Sequence, residues 1–328
     1  MPDQLLFAIE VTLNGLMAGV LYALVALGFV LIYKASGIFN YAQGVMALFS
    51  AATLVGIMNG DVPFSHLINA ILGTDIHHFG WHVPAILAIL LTMGVMIFLA
   101  WAVNRFVFKH LVNQEPIILF MATIGLAYFL EGLSDMMWGG DIKKLDVGLP
   151  QGINETIDEV TFNLFGYGFF IDNLDIVAAV VAVILVIALT LYSQYSKQGR
   201  ALRAVADDHQ AALSVGISLN YIWVLVWSIA GFVALVAGIM WGAKSGVQFS
   251  LSLIALKALP VLMLGGFTSI PGAIVGGLII GVGEKLFEFS LGSFLGGATE
   301  NWFAYVLALI FLVFRPQGLF GEKIIERV

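Results

Sequence analysis

Nine stretches of this sequence are apolar over lengths that span, or nearly span, a lipid bilayer. They are roughly 6–33, 44–58, 83–104, 116–138, 173–192, 221–243, 251–265, 270–288 and 300–314. Hydrocarbon has no water to satisfy an exposed amide, so only helices or closed barrels cross it. Barrel strands alternate apolar and polar residues, whereas these runs are continuous. The expected fold is therefore all-α: a polytopic transmembrane helical bundle of about eight to nine spans. The second, seventh and ninth runs are short, and any of them reads equally as a tilted, broken or re-entrant piece. Composition agrees. With 60% hydrophobic and 11% charged residues and a mean hydropathy of +1.00, the chain could not cover the surface of a water-soluble domain. Residues 1–328 read as a single transmembrane domain with two long outer loops, about 59–82 and 139–172. The start, MPDQLLFAIE, lacks the basic region of a cleaved signal peptide and is expected to stay in the mature protein.

Orientation follows from the cations. With the N-terminus outside and the C-terminus in the cytoplasm, Lys34, Arg105, Lys109, Lys197, Arg200, Arg203, Arg315, Lys323 and Arg327 fall inside. Lys143, Lys144, Lys244, Lys257 and Lys285 fall outside or at outer helix ends. A net charge of −7 argues against nucleic acid as a partner, and the lack of cysteine excludes disulfides, thiolate metal sites and thiol catalysis.

One cytoplasmic stretch is unlike the rest: SKQGRALRAVADDHQAALSVGI, from Ser196 to Ile217. Its period is helical. Leu202, Val205, Ala206, Ala212 and Leu213 share one side; Arg200, Arg203, Asp207, Gln210 and Ser214 share the other. Arg203 and Asp207 are spaced as an i,i+4 pair, Ser196 is placed to cap the start and Gly216 to end the helix. Such a helix either lies on the membrane surface or docks a cytosolic partner, over about residues 199–215.

GRALRAVADDHQAALSVGI resembles the cytoplasmic coupling segment of ABC-transporter permeases of the branched-chain amino acid type. Three further blocks agree, in the family's order. NGLMAGVLYALVALGFVLIYKASGIFNYAQG, from Asn14 to Gly44, looks like the family's first helix and its Asn-aromatic-Ala-His/Gln-Gly signature, with Gln43 where His is commoner. ALKALPVLMLGGFTSIPGAIVGGLIIG, from Ala255 to Gly281, is similar to its late Gly-rich helices, and FRPQGLFG, from Phe314 to Gly321, to its C-terminal end. Residues 59–82 and 139–172 match nothing in the family's pattern.

The resemblance implies a membrane-spanning permease subunit of an ATP-driven importer in the cell inner membrane. The cargo would be branched-chain or related amino acids, or a similar small polar solute such as an amide or urea. It also implies partners: a second permease subunit, two cytosolic ATP-binding subunits and a periplasmic or lipid-anchored solute-binding protein. Arg200, Arg203, Asp207 and Asp208 would then serve ATPase coupling. Hydrolysis would belong to the partners, so no enzyme activity and no cofactor are expected here. GIMWGAKSG from Gly238 has the wrong spacing for a phosphate loop.

An ion-coupled secondary transporter would need buried carboxylates, for which Glu131 and Asp135, one turn apart, are the best candidates. Glu10, Lys257, Glu284, Lys285 and Glu288 read as groups near outer helix ends, able to snorkel. His66, His77, His78 and His82 share one outer loop; His78 and His82 are spaced for one helix face, either as metal ligands or in an interfacial segment with Trp81 at headgroup level. An integral-membrane enzyme is least supported, since no catalytic constellation is found.

The glycine pairs Gly15/Gly19, Gly238/Gly242, Gly272/Gly276 and Gly277/Gly281 have the small-xxx-small spacing of close helix packing. Gly37 and Gly44 flank one helix break, and Gly265, Gly266 and Pro271 make another. Breaks expose backbone groups, which membranes tolerate only beside protein or a water-filled cavity. Asn40, Gln43, Gly44, Gly265, Gly266 and Pro271 are therefore the candidate translocation-pathway residues. Asn40 and Gln43 either bond the freed backbone or line the pathway.

Overall fold

A computed structural model describes residues 2–73, 75–111, 114–207 and 209–321. The described residues form thirteen α-helices and no strand beyond three isolated bridge pairs. The helices are α1 (Pro2–Ser36), α2 (Gln43–Asn59), α3 (Ser65–Leu72), α4 (Ala85–Phe106), α5 (Pro116–Trp138), α6 (Glu155–Phe165) and α7 (Asn173–Tyr195). They continue with α8 (Lys197–Asp207), α9 (His209–Ser214), α10 (Leu219–Ser245), α11 (Ser250–Gly265), α12 (Ile270–Leu295) and α13 (Phe303–Phe314).

Each of the nine apolar runs is a helix. Six are long and apolar enough to cross a membrane: α1, α4, α5, α7, α10 and α12. The other three, α2, α11 and α13, have 17, 16 and 12 residues. At 1.5 Å per residue they reach about 26, 24 and 18 Å, short of a hydrocarbon core of about 30 Å. The structure thus gives six full-length spanning helices and three shorter apolar ones rather than eight or nine equivalent spans. Local chemistry sets several ends. Pro116 and Pro271 stand in the first turns of α5 and α12, and the Ser269 hydroxyl accepts from the Gly272 N–H at 3.0 Å to cap α12.

The described chain divides into two compact units. One comprises Met1–Ala26, Leu149–Thr190 and Leu256–Val328; the other comprises Leu27–Gly148 and Leu191–Ala255.

In the second unit α2 is the central element. It packs against α10, α4 and α5, and every residue from Gln43 to Gly56 is buried. A helix apolar on all sides needs a neighbour on all sides, which explains why a short helix can persist there. Gly238 of α10 lets the α2 backbone approach: a methyl group in its place would lie 2.5 Å from the Ala47 carbonyl oxygen. Gly242 fits under Val247 and Leu145, where a methyl would come within 2.9 Å of the Val247 side chain.

In the first unit α1 and α12 interlock through glycine. A methyl at Gly277 would stand 2.5 Å from the Gly19 carbonyl oxygen, and one at Gly15 would stand 2.8 Å from the Cα of Val282. Gly276 meets Val261 of α11 in the same way, at 2.5 Å from its carbonyl oxygen. All four glycine pairs singled out by spacing therefore sit at close contacts, with backbone in every case but Gly242, which meets side chains: the packing use of the motif. In lipid, apolar burial gives no net drive, so close van der Waals approach is what holds such pairs together.

Gly277→Val should accordingly destabilise the protein by about 1–3 kcal/mol or more through overpacking. Gly94→Val on α4, where the space beyond Cα is open, should not. Fluorescence-detected melting of the two detergent-purified variants checks this, and equal melting temperatures would refute the interlock.

Candidate functional site

The first helix break is a closed polar knot within the second unit. The chain leaves α1 through Gly37, at φ +66°, and re-enters helix at Gln43. The Asn40 side chain spans the gap: its Oδ1 accepts from the Ala42 N–H at 3.1 Å and its Nδ2 donates to Gln43 Oε1 at 3.3 Å. Gln43 Nε2 donates in turn to the Ala230 carbonyl oxygen of α10 at 3.2 Å. Thr123 of α5 completes the set, donating to the Phe39 carbonyl oxygen at 3.2 Å and accepting from the Tyr41 N–H at 3.1 Å. Asn40 and Gln43 are 0% and 1% exposed, so they bond freed backbone and each other and face no open cavity. Gly44 makes room for α11: a methyl there would collide with the Ser252 carbonyl oxygen and the Ala255 side chain.

The second break is covered by the chain's own C-terminal segment, within the first unit. After α11 the carbonyls of Leu264 and Gly265 accept from the N–H groups of Leu319 and Phe320, at 2.8 and 3.1 Å. Gly266, at φ +103°, and Gly318, at φ +81°, bring the two backbones into contact. Gly265 and Gly266 are buried, while Pro271 is exposed at the start of α12. The FRPQGLFG block, noticed in the sequence only as a likeness, thus supplies the donors that this break lacks.

Sequence reasoning missed the burial of two helix carboxylates, Glu284 and Glu10. Glu284 lies mid-way along α12 and is 1% exposed, so it is no snorkelling residue. Tyr22 of α1 donates to its Oε2 at 3.0 Å, and Lys257 of α11 stands 3.9 Å from the same oxygen. Lys257 Nζ also donates to the Tyr22 hydroxyl at 3.4 Å. Glu10 is buried as well. It accepts from the Tyr167 hydroxyl at 2.6 Å and the Phe170 N–H at 3.3 Å, tying α1 to the loop after α6. That hydrogen bond, helped by partial burial and the nearby Glu10 charge, pushes the Tyr167 phenol up to about 12, so it remains a donor throughout the physiological range. The signal for these pairs was present only as Tyr and Glu residues far apart in sequence. Lys285 and Glu288 do lie nearer a helix end, paired with Glu300 at 2.7 Å and bonded to Thr299.

Glu131 and Asp135 turn out not to be buried carboxylates. Asp135 is exposed and Glu131 half-buried, and both line an open cavity of about 290 Å³ with Ser134, Asp141, Lys143 and Gln248. The histidines between α2 and α4 separate. Residues 78–82 are not helical, so His78 and His82 share no helix face. His78 Nδ1 lies 2.9 Å from Asp61, which also accepts from Lys143 Nζ at 2.7 Å, while His77 pairs with Asp75 at 2.9 Å. Among the described residues no three His, Asp or Glu side chains converge as metal ligands. The His66 side chain lies outside the described residues.

The charged stretch forms α8 and α9. Ser196 caps its start, accepting from the Gly199 N–H at 2.7 Å, and Gly216, at φ +84°, ends it. Leu202, Val205 and Ala212 are buried, and α8 and α9 both contact α10. Leu213, expected on the same face, is exposed instead. Arg200 and Arg203 are turned onto the end of α7. Asp208 and the side chain of Asp207 lie outside the described residues.

Gln43→Leu keeps roughly the side-chain volume but removes the bond to the Ala230 carbonyl and takes the Gln43 acceptor from the buried Asn40 amide. It should cost about 1–3 kcal/mol. A fall in melting temperature of the purified variant checks this, and an unchanged melting curve would show that the knot contributes nothing.

Residues 11–315 match the family described as branched-chain amino acid transport system / permease component. The high-affinity branched-chain amino acid transport system permease protein LivH of Escherichia coli K12 is 28% identical over 333 residues, covering all of both chains. Its counterpart BraD of Pseudomonas aeruginosa is 29% identical over 319 residues, 96% of each chain. A probable branched-chain amino acid permease of Methanocaldococcus jannaschii, also named LivH, is 26% identical over 310 residues, 92% of this chain and 89% of that one. Matched over nearly its whole length, the chain belongs to the branched-chain amino acid transport system permease family.

Proposed function

We propose that this chain is one of two membrane-embedded permease subunits of an ATP-driven importer, carrying branched-chain amino acids or a closely related solute. The observation that carries this reading is the family match across residues 11–315, to relatives named for branched-chain amino acid transport. The six long apolar helices support it. A zwitterionic cargo needs no permanently exposed charge in the wall, and the buried carboxylates Glu10 and Glu284 are bonded to tyrosines, with Lys257 beside Glu284.

Under this proposal two ATP-binding subunits engage the cytoplasmic side through residues 199–215, with Arg200, Arg203, Asp207 and Asp208 as coupling residues. A solute-binding protein delivers cargo on the outer side, where loops 59–82 and 139–172 lie. The whole of 1–328 acts as a single permease domain in the cell inner membrane. Counting the three short apolar helices as crossings or dips gives eight to nine membrane passages, with the N-terminus outside. The two breaks would border the pathway as fixed walls. Asn40, Gln43, Gly44, Gly265, Gly266 and Pro271 hold those walls together rather than touch solute.

Two measurements test the proposal. Proteoliposomes holding the chain with its ATPase, second permease and binding protein should take up leucine only with ATP. Uptake driven by a proton gradient without ATPase subunits would sink it. The cysteine-free chain also permits single-cysteine labelling in intact cells. A cysteine at Gln151 should react with an impermeant thiol reagent, and one at Lys197 should be shielded. The opposite pattern would overturn the orientation.

A further inference from the structure

The corner between α7 and α8 is made from the last carbonyls of one helix and the first cations of the next. The final four carbonyls of a helix have no intrahelical donor. At the end of α7 each has found one. The Tyr192 carbonyl accepts from the Ser196 N–H at 3.1 Å. Arg203 donates from Nη1 to the Ser193 carbonyl oxygen and from Nη2 to that of Gln194 at 3.4 Å. Arg200 Nη1 donates to the Tyr195 carbonyl oxygen at 3.0 Å. The two cations also complement the negative end of the α7 dipole.

Gly199 closes the corner. It is buried, and a methyl group there would lie 2.5 Å from the Tyr192 carbonyl oxygen and 2.7 Å from the Ser193 carbonyl carbon. On the next turn Leu202 and Val205 are buried, with α8 in contact with α10. The segment is thus fastened to α7 by guanidinium forks and seated by an apolar face. A guanidinium is planar and carries rigidly spaced donors, so one residue can bridge two adjacent carbonyls. An ammonium on a flexible stem cannot hold that geometry.

We propose that Gly199, Arg200 and Arg203 form a rigid joint that locks α8 to the end of α7. They are positioning residues: they pass displacement of the coupling segment into the membrane helix and do not themselves grip the ATPase. This rests on the reading of 199–215 as the coupling segment. A partner pushing on α8 moves α7 only if the corner does not swivel. Without the forks, the covalent link, the Ser196 bonds, the Gly199 contact and the seated apolar face would be left to resist rotation.

The test uses the assembled transporter with Arg203→Ala, Arg203→Lys and Gly199→Ala. Spin labels on cysteines placed at Leu191 and Ala204 report the corner directly. The joint predicts that the ATPase subunits stay bound and hydrolyse ATP, while solute moved per ATP falls about fivefold or more, the lower range of typical coupling between sites. The 191–204 distance distribution should broaden, with Arg203→Lys intermediate in both readouts. Unchanged transport per ATP in Arg203→Ala would overturn the proposal. So would release of the ATPase with a distance distribution as narrow as in the unmodified protein, which would make Arg203 a partner contact. If Arg203→Ala fails to accumulate, Arg203→Lys and Gly199→Ala decide by the same two readouts. If the unmodified assembly does not hydrolyse ATP, the importer reading fails; the spin-label distances still judge whether the joint is rigid.

Discussion

Every backbone amide within hydrocarbon must find a protein partner, and the structure is organised around the places where a helix cannot provide one. Continuous helices solve the problem alone. The breaks do not, and each is met by a part of the chain remote in sequence. Thr123 and the Asn40–Gln43 pair serve the first, and the N–H groups of Leu319 and Phe320 serve the second. The carbonyls left at the end of α7 are met by Arg200 and Arg203. An unsatisfied group facing lipid costs several kcal/mol, more than the net gain from a typical hydrogen bond. The sequence positions that look most unusual for a membrane protein are largely those that pay this debt.

Much of the fold was legible because the bilayer imposes a length and a period. All nine apolar runs became helices, and the three marked as short became α2, α11 and α13. Spacing also identified the four glycine pairs, since close approach needs small residues one turn apart. What the sequence hid was depth and partnership. Glu284 and Glu131 look alike as single acidic residues in apolar runs. One is 1% exposed against Tyr22 and Lys257, and the other lines an open cavity. No local pattern distinguishes them, because the partners of Glu284 lie on α1 and α11. The histidines failed for a related reason: i,i+4 spacing has meaning only on a helix, and residues 78–82 are not one.

The candidate site was legible in location and not in role. Asn40, Gln43 and the glycine–proline break stood out as breaks, which they are. Whether a polar side chain at a break faces solute or backbone depends on what lies across from it. For Gln43 that is the Ala230 carbonyl, 187 residues away in sequence. The arginines of α8 show the same ambiguity. An amphipathic helix diagram puts Arg200 and Arg203 on an outward polar face, yet long side chains can reach back along their own helix. Here they reach the helix before.

This reassignment changes how the charge in the molecule is understood. A chain with so few ionisable groups does not leave them at the membrane boundary by default. Lys257, Glu284 and Tyr22 join α11, α12 and α1; Glu10 and Tyr167 join α1 to the loop after α6; Asp61, Lys143 and His78 join two loops of the second unit. Exposed ion pairs contribute little, but these bonds are wholly or partly shielded, where a lost partner leaves a costly unpaired group. Charge in this protein therefore acts mainly as a set of directional fasteners between segments that apolar contact, without a hydrophobic drive in lipid, would position only loosely. A transporter has particular use for such fasteners, since cycling demands that some joints move while others stay fixed.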